Sequence, residues 1–159
     1  VTCDQTVESC QTAITDLTIE GLDPMDVVFK NCSDVGAKDI LFRAAFQKGT
    51  YRQRVEVCQT NGCNKGPLQF PPKNTTLNGV KCPTCLVFGD LSCEATEVLE
   101  CVGEMTNCLY IAATFRNTAA PPKQAAYRGC TCAEFAEHVP IGPADTVQDV
   151  VTLIVSKGV

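Results

Sequence analysis

The stretch that decides the fold runs from residue 82 to residue 130 and reads CPTCLVFGDLSCEATEVLECVGEMTNCLYIAATFRNTAAPPKQAAYRGC. It holds six cysteines, at positions 82, 85, 93, 101, 108 and 130. So many cysteines in one short segment, with little else to build a core, predict a disulfide framework. Because disulfides persist in oxidising compartments, the same cysteines predict a secreted, extracellular protein.

The spacing of the cysteines repeats near the N-terminus. Three cysteines lie first seven and then twenty-two residues apart, and three in the quoted stretch have the same two intervals 98 residues later. The two sets are Cys3, Cys10 and Cys32, and Cys101, Cys108 and Cys130. Two consecutive matched intervals indicate an internal duplication.

The duplication predicts two small modules rather than one domain. We expect a first module over 1–66, a proline-rich linker over 67–80 and a second module over 81–159. The segment GPLQFPPKNTTLN (66–78) has three prolines and no periodicity, so we expect it to run extended and to space the modules semi-rigidly. Modules of this size usually need disulfides to supplement a thin core.

The charge is mildly acidic and evenly divided. The net charge of the whole chain is −5, with −2 over 1–70 and −3 over 71–159. Neither half has the basic footprint that binding to a phosphate backbone requires, so nucleic acid is excluded as a partner. No apolar run approaches the ~18 residues of a membrane span.

Alternating apolar and β-branched residues predict a mainly β protein. Strands are expected at 12–20, 27–32, 50–58, 109–115 and 149–155. The segment GAKDILFRAAFQKG (36–49) is ambiguous, and its apolar spacing suits an amphipathic helix of about three turns. Residues 133–143 are expected to form a short helix or loop ended by prolines.

The sequence contains no catalytic constellation. Its one histidine, His138, lies in a proline-flanked segment, and no nucleophile-elbow, zincin or phosphate-loop motif occurs. Cys82-x-x-Cys85 has the spacing of zinc ligands, and Cys130-x-Cys132 lies near His138. The repeat and the oxidising context favour disulfides over metal ligands, so we expect no enzyme activity, cofactor or metal.

Two charged groups are candidate interaction surfaces, with an ordinary solvated face as the alternative for each. The first is an acidic cluster of Glu94, Glu97, Glu100 and Glu104. The second is a basic group, interleaved with aromatic residues, of Arg43, Lys48, Arg52 and Arg54 with Phe42, Phe46 and Tyr51. Arginine beside aromatic residues is typical of binding hot spots.

Two segments have the acceptor sequence for N-glycosylation. Asn74-Thr75-Thr76 lies in the predicted linker, where exposure is expected. Asn31-Cys32-Ser33 also fits the pattern, but its central cysteine is expected to lie in a disulfide. The protein is therefore expected to be a glycoprotein.

The cysteine pattern resembles the three-finger fold of the urokinase receptor, its lymphocyte-antigen relatives and the snake neurotoxins. The resemblance rests on Cys82-Pro-Thr-Cys85, on the cysteines that follow up to Gly129-Cys130, and on a closing loop from Cys58 to Cys63-Asn64. The tandem arrangement, with the passage over 66–83, is most similar to gamma-class phospholipase A2 inhibitors. Sodefrin-precursor-like pheromones share the two-domain layout.

This resemblance implies a disulfide connectivity that spacing alone leaves open. The implied pairs are Cys82–Cys108, Cys85–Cys93, Cys101–Cys130, Cys3–Cys32 and Cys58–Cys63. It leaves Cys10 and Cys132 unassigned, to pair with each other, with another chain or with a segment not present here. We therefore expect two three-finger domains that are both incomplete, the first without its first finger and the second without the closing Cys-Asn loop.

The resemblance also implies a function. A disulfide-linked base that holds variable β fingers suits a non-enzymatic binding protein. The first hypothesis is an inhibitor that binds a secreted phospholipase A2, with homo-oligomer formation left open. The alternatives are a secreted pheromone or signalling ligand and a structural or carrier component of a biological fluid.

Overall fold

The computed structural model describes residues 7, 9–33, 36–117, 120–139 and 147–159. Within these ranges the chain forms nine strands, a 3-10 turn at Cys63–Lys65 and one short helix, α1, at Phe135–His138. The strands are β1 Cys10–Ile19, β2 Met25–Cys32, β3 Ile40–Phe46, β4 Gly49–Cys58, β5 Leu77–Phe88, β6 Glu97–Val102, β7 Asn107–Asn117, β8 Ala120–Thr131 and β9 Val147–Lys157. The expected mainly β, disulfide-rich fold is confirmed, as is the short helix within 133–143.

All nine strands belong to one antiparallel sheet. Its hydrogen-bonded order is β2-β1-β4-β3-β8-β5-β6, and β7 leaves this path to pair with both β8 and β9. The predicted linker has no regular structure over 67–76, and β5 begins at Leu77, inside the predicted linker.

The internal duplication is confirmed by the strand registers. In the first copy Cys10 lies opposite Cys32 on β2 and opposite Cys58 on β4. In the second copy Cys108 lies opposite Cys130 on β8 and opposite Ser156 on β9. Each of these positions is 98 residues after its counterpart, so the two copies share strand pairing as well as cysteine spacing.

The helix that the sequence suggested within 36–49 is wrong. Residues 40–46 form β3, which pairs with β4 through seven consecutive residues, from Ile40 opposite Val55 to Phe46 opposite Gly49. Every second residue of β3 is buried, namely Phe42, Ala44 and Phe46. This period of two fits a strand that has one face in a core.

The two copies are joined directly through β3 and β8. Ala44, Ala45 and Phe46 pair with Thr131, Cys130 and Gly129 respectively. The backbones approach so closely that a Cβ at Gly129 would collide with the carbonyl oxygen of Ala45. The two copies are therefore neighbours in one sheet.

The main hydrophobic core is shared by both copies. Phe42 and Ala44 of the first copy pack in one cluster with Leu109, Ile111, Ala113, Cys132, Phe135 and Val147 of the second. The rings of Phe42 and Phe135 meet edge to face, with their centroids 5.0 Å apart. Neither copy therefore has this core without the other.

Four disulfides lie wholly within the described residues. They are Cys58–Cys63, Cys82–Cys108, Cys85–Cys93 and Cys101–Cys130, the same pairs that the resemblance implies. Cys32 is also disulfide-bonded, and its expected partner, Cys3, lies outside the described residues. Cys10 and Cys132 are free thiols, so they do not pair with each other.

We expect the substitution Gly129→Ala to destabilise the protein by about 1–3 kcal/mol, because the added methyl group would force β3 and β8 apart. Urea denaturation measures this change. Gly66→Ala is the matched control, because Gly66 has φ −69 and open space around the Cβ position. Equal stability of the two variants would contradict the close approach at the junction.

Candidate protein-binding surface

The hairpin of β1 and β2 exposes a group of large apolar side chains. It is called here the first finger (10–32) because it comes first in this chain, and it is not the finger that the first module was expected to lack. Their exposed fractions are 59% for Leu22, 40% for Val27, 66% for Val28 and 54% for Phe29. Three of these residues are consecutive in β2, so both faces of this strand meet solvent. Apolar side chains that are contiguous and exposed mark interaction sites more often than isolated ones do.

Among the described residues, β2 lies at an edge of the sheet. In the described chain β2 pairs with β1 alone and ends the sheet. An exposed edge strand presents unpaired backbone N–H and C=O groups to any extended segment that can align with it. The first finger therefore offers backbone hydrogen bonds and apolar side chains in the same place, as sites of strand addition do.

The charge around this edge is negative. Glu20, Asp23 and Asp26 are exposed on the first finger. Its one lysine, Lys30, is occupied, because Nζ donates to the carbonyl oxygens of Asn64 at 2.7 Å and Gly66 at 2.8 Å. The surface is thus apolar with acidic neighbours, which favours a basic partner.

In the second copy, the positions that correspond to the exposed residues of β2 are covered by another strand. The counterparts of Val27, Val28 and Phe29, 98 residues later on β8, are Ala125, Ala126 and Tyr127. Ala125 and Ala126 are buried, and β5 pairs with all three positions of β8. Among the described residues, these positions are therefore covered by β5 in the second copy and exposed in the first.

The face of the first-copy sheet is crossed by the segment Asn64–Asn74, called here the strap. Besides Lys30, two arginines donate to its backbone: Arg54 to the carbonyl of Gln69 at 2.5 Å and Arg43 to the carbonyl of Asn74 at 3.0 Å. Arg52 stacks on the ring of Phe70, with its guanidinium carbon 4.0 Å from the centroid. Four cations on three strands thus hold the strap on the sheet.

The predicted basic interaction surface is therefore wrong for most of its members. Arg43, Arg52 and Arg54 bind the chain's own strap, and Lys48 alone of the four is fully exposed. The aromatic residues of the group belong to the interior: Phe42 and Phe46 are buried and Tyr51 packs against the shared core. No sequence signal identified the acceptors, since they are backbone carbonyls.

Asp16 anchors the centre of this arrangement. Its carboxylate lies 2.6 Å from Arg52 Nε and 3.6 Å from Lys73 Nζ, and the residue is buried. Burial acts to raise the pKa of Asp16, but the hydrogen bond from Arg52 and the charges of Lys73 and Arg52 outweigh it. The pKa is therefore held below its usual 3.8, and the carboxylate stays ionised at neutral pH.

The predicted acidic cluster is exposed but divided. Glu104 lies 3.3 Å from Arg43 across the junction of the copies, and Glu100 lies 3.2 Å from Lys81. Glu94 and Glu97 are exposed and form no ion pair within the described residues. The four carboxylates therefore have different roles and do not form one docking site.

The cysteine and histidine constellation is not assembled as a zinc site. Cys82 and Cys85, proposed above as alternative ligands, belong to different disulfides. The sulfurs of Cys82, Cys101 and Cys130 are close because two bridges stack, with 3.5 Å between Cys101 Sγ and Cys82 Sγ. Sulfurs in disulfides are not thiolates, so this cluster is a structural knot.

Cys132 is a buried thiol in the shared core. The backbone N–H of Arg43 donates to its sulfur at 3.4 Å, and burial raises its pKa. Leu153 and Val155 of β9 pack against the same cluster. The last strand therefore contributes apolar packing around Cys132, and the protonated thiol is a poor nucleophile.

Fold and bridges define a class: a disulfide-rich, mainly β protein built from two three-finger modules. The family model of the u-PAR/Ly-6 domain matches residues 1–66 and again residues 78–151. The chain therefore belongs to the u-PAR/Ly-6 domain family, whose members are extracellular or cell-surface proteins with domains that generally bind other proteins. In the described part of the chain, no helix has the length and apolar character needed to cross a membrane.

One curated relative matches part of the chain. The chain is similar to Protein RoBo-1 of Rattus norvegicus, with 26% identity over 83 residues. The matched segment covers 52% of this chain and 34% of that protein, so the chain spans about a third of its relative's length.

We expect Asp16→Asn to lower the free energy of unfolding by about 2 kcal/mol at pH 7, because it removes a charged hydrogen-bond acceptor from Arg52. An ionised Asp16 with a depressed pKa stabilises the fold above the unfolded pKa, and this contribution is lost as pH falls through the folded pKa. The difference from wild type should therefore shrink as the pH falls below the usual carboxyl pKa of 3.8.

Urea denaturation at a series of pH values measures this difference. Glu97→Gln is the control, because Glu97 is exposed and has no ion pair among the described residues. A pH-independent difference for Asp16→Asn would show that the substitution acts through packing and not through the charge.

Proposed function

We propose that this protein is a secreted, non-enzymatic binding protein and that the first finger carries its binding site. The observation that carries the proposal is the exposure of Val27, Val28 and Phe29 on β2, next to acidic side chains. The disulfide of Cys32 and the hydrogen bonds from Lys30 to the strap fix the base of the finger, so little order must be gained on binding. Such preorganisation raises affinity.

We propose further that the partner is a secreted phospholipase A2, in line with the similarity to gamma-class inhibitors noted from the cysteines and the strap sequence. A target with a basic surface and exposed apolar residues fits the acidic and apolar character of the finger. By covering the face with which the phospholipase approaches its substrate, the protein would stop hydrolysis without catalysing any reaction itself. The modules over 1–66 and 81–159 and the linker over 67–80 remain our proposed division of the chain.

Titration of the protein against a panel of acidic and basic secreted phospholipases A2, with residual hydrolysis as the readout, tests the proposal. We expect stoichiometric inhibition of at least one basic enzyme. Absence of inhibition across the panel would contradict the phospholipase partner and leave the pheromone and carrier hypotheses, which source tissue and non-reducing electrophoresis distinguish.

The site is tested by a variant of the finger. We expect Val28→Ser with Phe29→Ser to weaken inhibition at least about tenfold, because truncation of central apolar anchors costs more than ~1.4 kcal/mol at binding hot spots. The matched control is Val98→Ser, since Val98 is 64% exposed on β6, at the opposite end of the sheet path. Equal loss in both variants, or in neither, would place the binding site elsewhere.

A further inference from the structure

We propose that Asn74 carries an N-linked glycan and that Asn31, the other residue with an acceptor sequence, does not. The acceptor pattern does not distinguish the two segments, since Asn74-Thr75-Thr76 and Asn31-Cys32-Ser33 both fit it. Their surroundings in the folded protein differ in ways that decide which of them can hold a bulky sugar. This proposal does not depend on the phospholipase partner.

Asn74 lies on the exposed strap in a defined conformation. Its Oδ1 accepts a hydrogen bond from the backbone N–H of Thr76 at 3.0 Å. Its Nδ2, the atom that a glycan is attached to, has no hydrogen-bond partner among the described residues, and both Asn74 and Thr76 are exposed. A sugar on Nδ2 therefore displaces no contact of the folded chain.

The backbone that carries Asn74 is held from both sides. Arg43 donates to the Asn74 carbonyl at 3.0 Å, and the N–H of Gly103 donates to the Thr76 carbonyl at 2.9 Å. Gly103 has φ +57, and a Cβ there would lie 3.0 Å from the Asn74 Cβ. The attachment point is thus fixed at the junction of the two copies, on an exposed residue.

Asn31, in contrast to Asn74, lies in a packed environment. It is partly covered, and its Oδ1 is buried without a hydrogen-bond partner. The hydroxyl of the acceptor residue Ser33 is buried and lies 2.5 Å from the hydroxyl of Ser9. Cys32, between Asn31 and Ser33 in the sequence, is disulfide-bonded. A glycan on Asn31 would have to open this packing, so the folded protein selects against it.

The reaction needs a donor that the secretory pathway supplies: an oligosaccharide linked to a lipid through pyrophosphate. The new bond joins Asn74 Nδ2 to the anomeric carbon of the first sugar. The bond between that carbon and the pyrophosphate oxygen breaks, Nδ2 gives up one proton, and the lipid pyrophosphate leaves. The chain supplies only the acceptor.

The position also gives the glycan a physical role. Lys73 immediately precedes Asn74, has 41% of its side chain exposed and lies in a segment without helix or strand. Exposed segments of this kind are preferred sites of proteolytic cleavage. A bulky sugar on the next residue would block a trypsin-like protease at the Lys73–Asn74 bond and protect the connection between the copies.

The test is expression of the full chain in a eukaryotic secretory host, followed by release of glycans by peptide N-glycosidase in ¹⁸O-water and peptide mapping. We expect the ¹⁸O label at position 74 and none at position 31. N74Q and T76A should each remove the glycan, T76S should restore it, and N31Q should leave it unchanged. The unglycosylated N74Q protein should be cut by trypsin after Lys73 faster than wild type.

Wild-type protein without a glycan, or with its glycan at Asn31, would overturn the proposal. Peptide mapping of wild type gives this answer even when a variant is poorly secreted. Equal rates of cleavage after Lys73 in glycosylated wild type and N74Q would overturn the protective role and leave the site itself standing.

Discussion

Three residue pairs between β3 and β8 are the constraint on which the arrangement of the protein depends. They join two copies of one repeat into a single sheet, and they require Gly129, since no side chain fits against the carbonyl of Ala45. Once the backbones are this close, Phe42 reaches the core of the other copy and contacts Phe135. A hydrogen-bonded junction and a shared core make the two copies one cooperative unit.

The strap extends the same constraint along the surface. A proline-rich segment lacks regular hydrogen-bond partners for its carbonyl groups, and exposed carbonyls would otherwise be satisfied by water. Here Lys30, Arg54 and Arg43 donate to them, and Arg52 covers the ring of Phe70. Hydrogen bonds from charged donors are stronger than those between neutral groups, so a segment with no helix or strand becomes a fixed part of the fold.

The sequence predicted the parts of this fold that are encoded locally and missed those that depend on distant partners. Cysteine intervals revealed the duplication, because bridges require their partners at set positions on paired strands. The segment 36–49 was misjudged because Ile40, Leu41, Ala44 and Ala45 fit a helical period, while the alternation of Phe42, Ala44 and Phe46 also fitted a strand. The choice between them is made by β4 and by β8, and β8 lies more than seventy residues further along the chain.

The basic residues show a second limit of prediction. A group of arginines beside aromatic residues has the composition of a binding site, but composition does not distinguish a foreign partner from the chain's own carbonyls. Conversely, Val27, Val28 and Phe29 looked like an ordinary strand, since nothing in their sequence says that all three are exposed at an edge of the described sheet. That distinction came only from the sheet order.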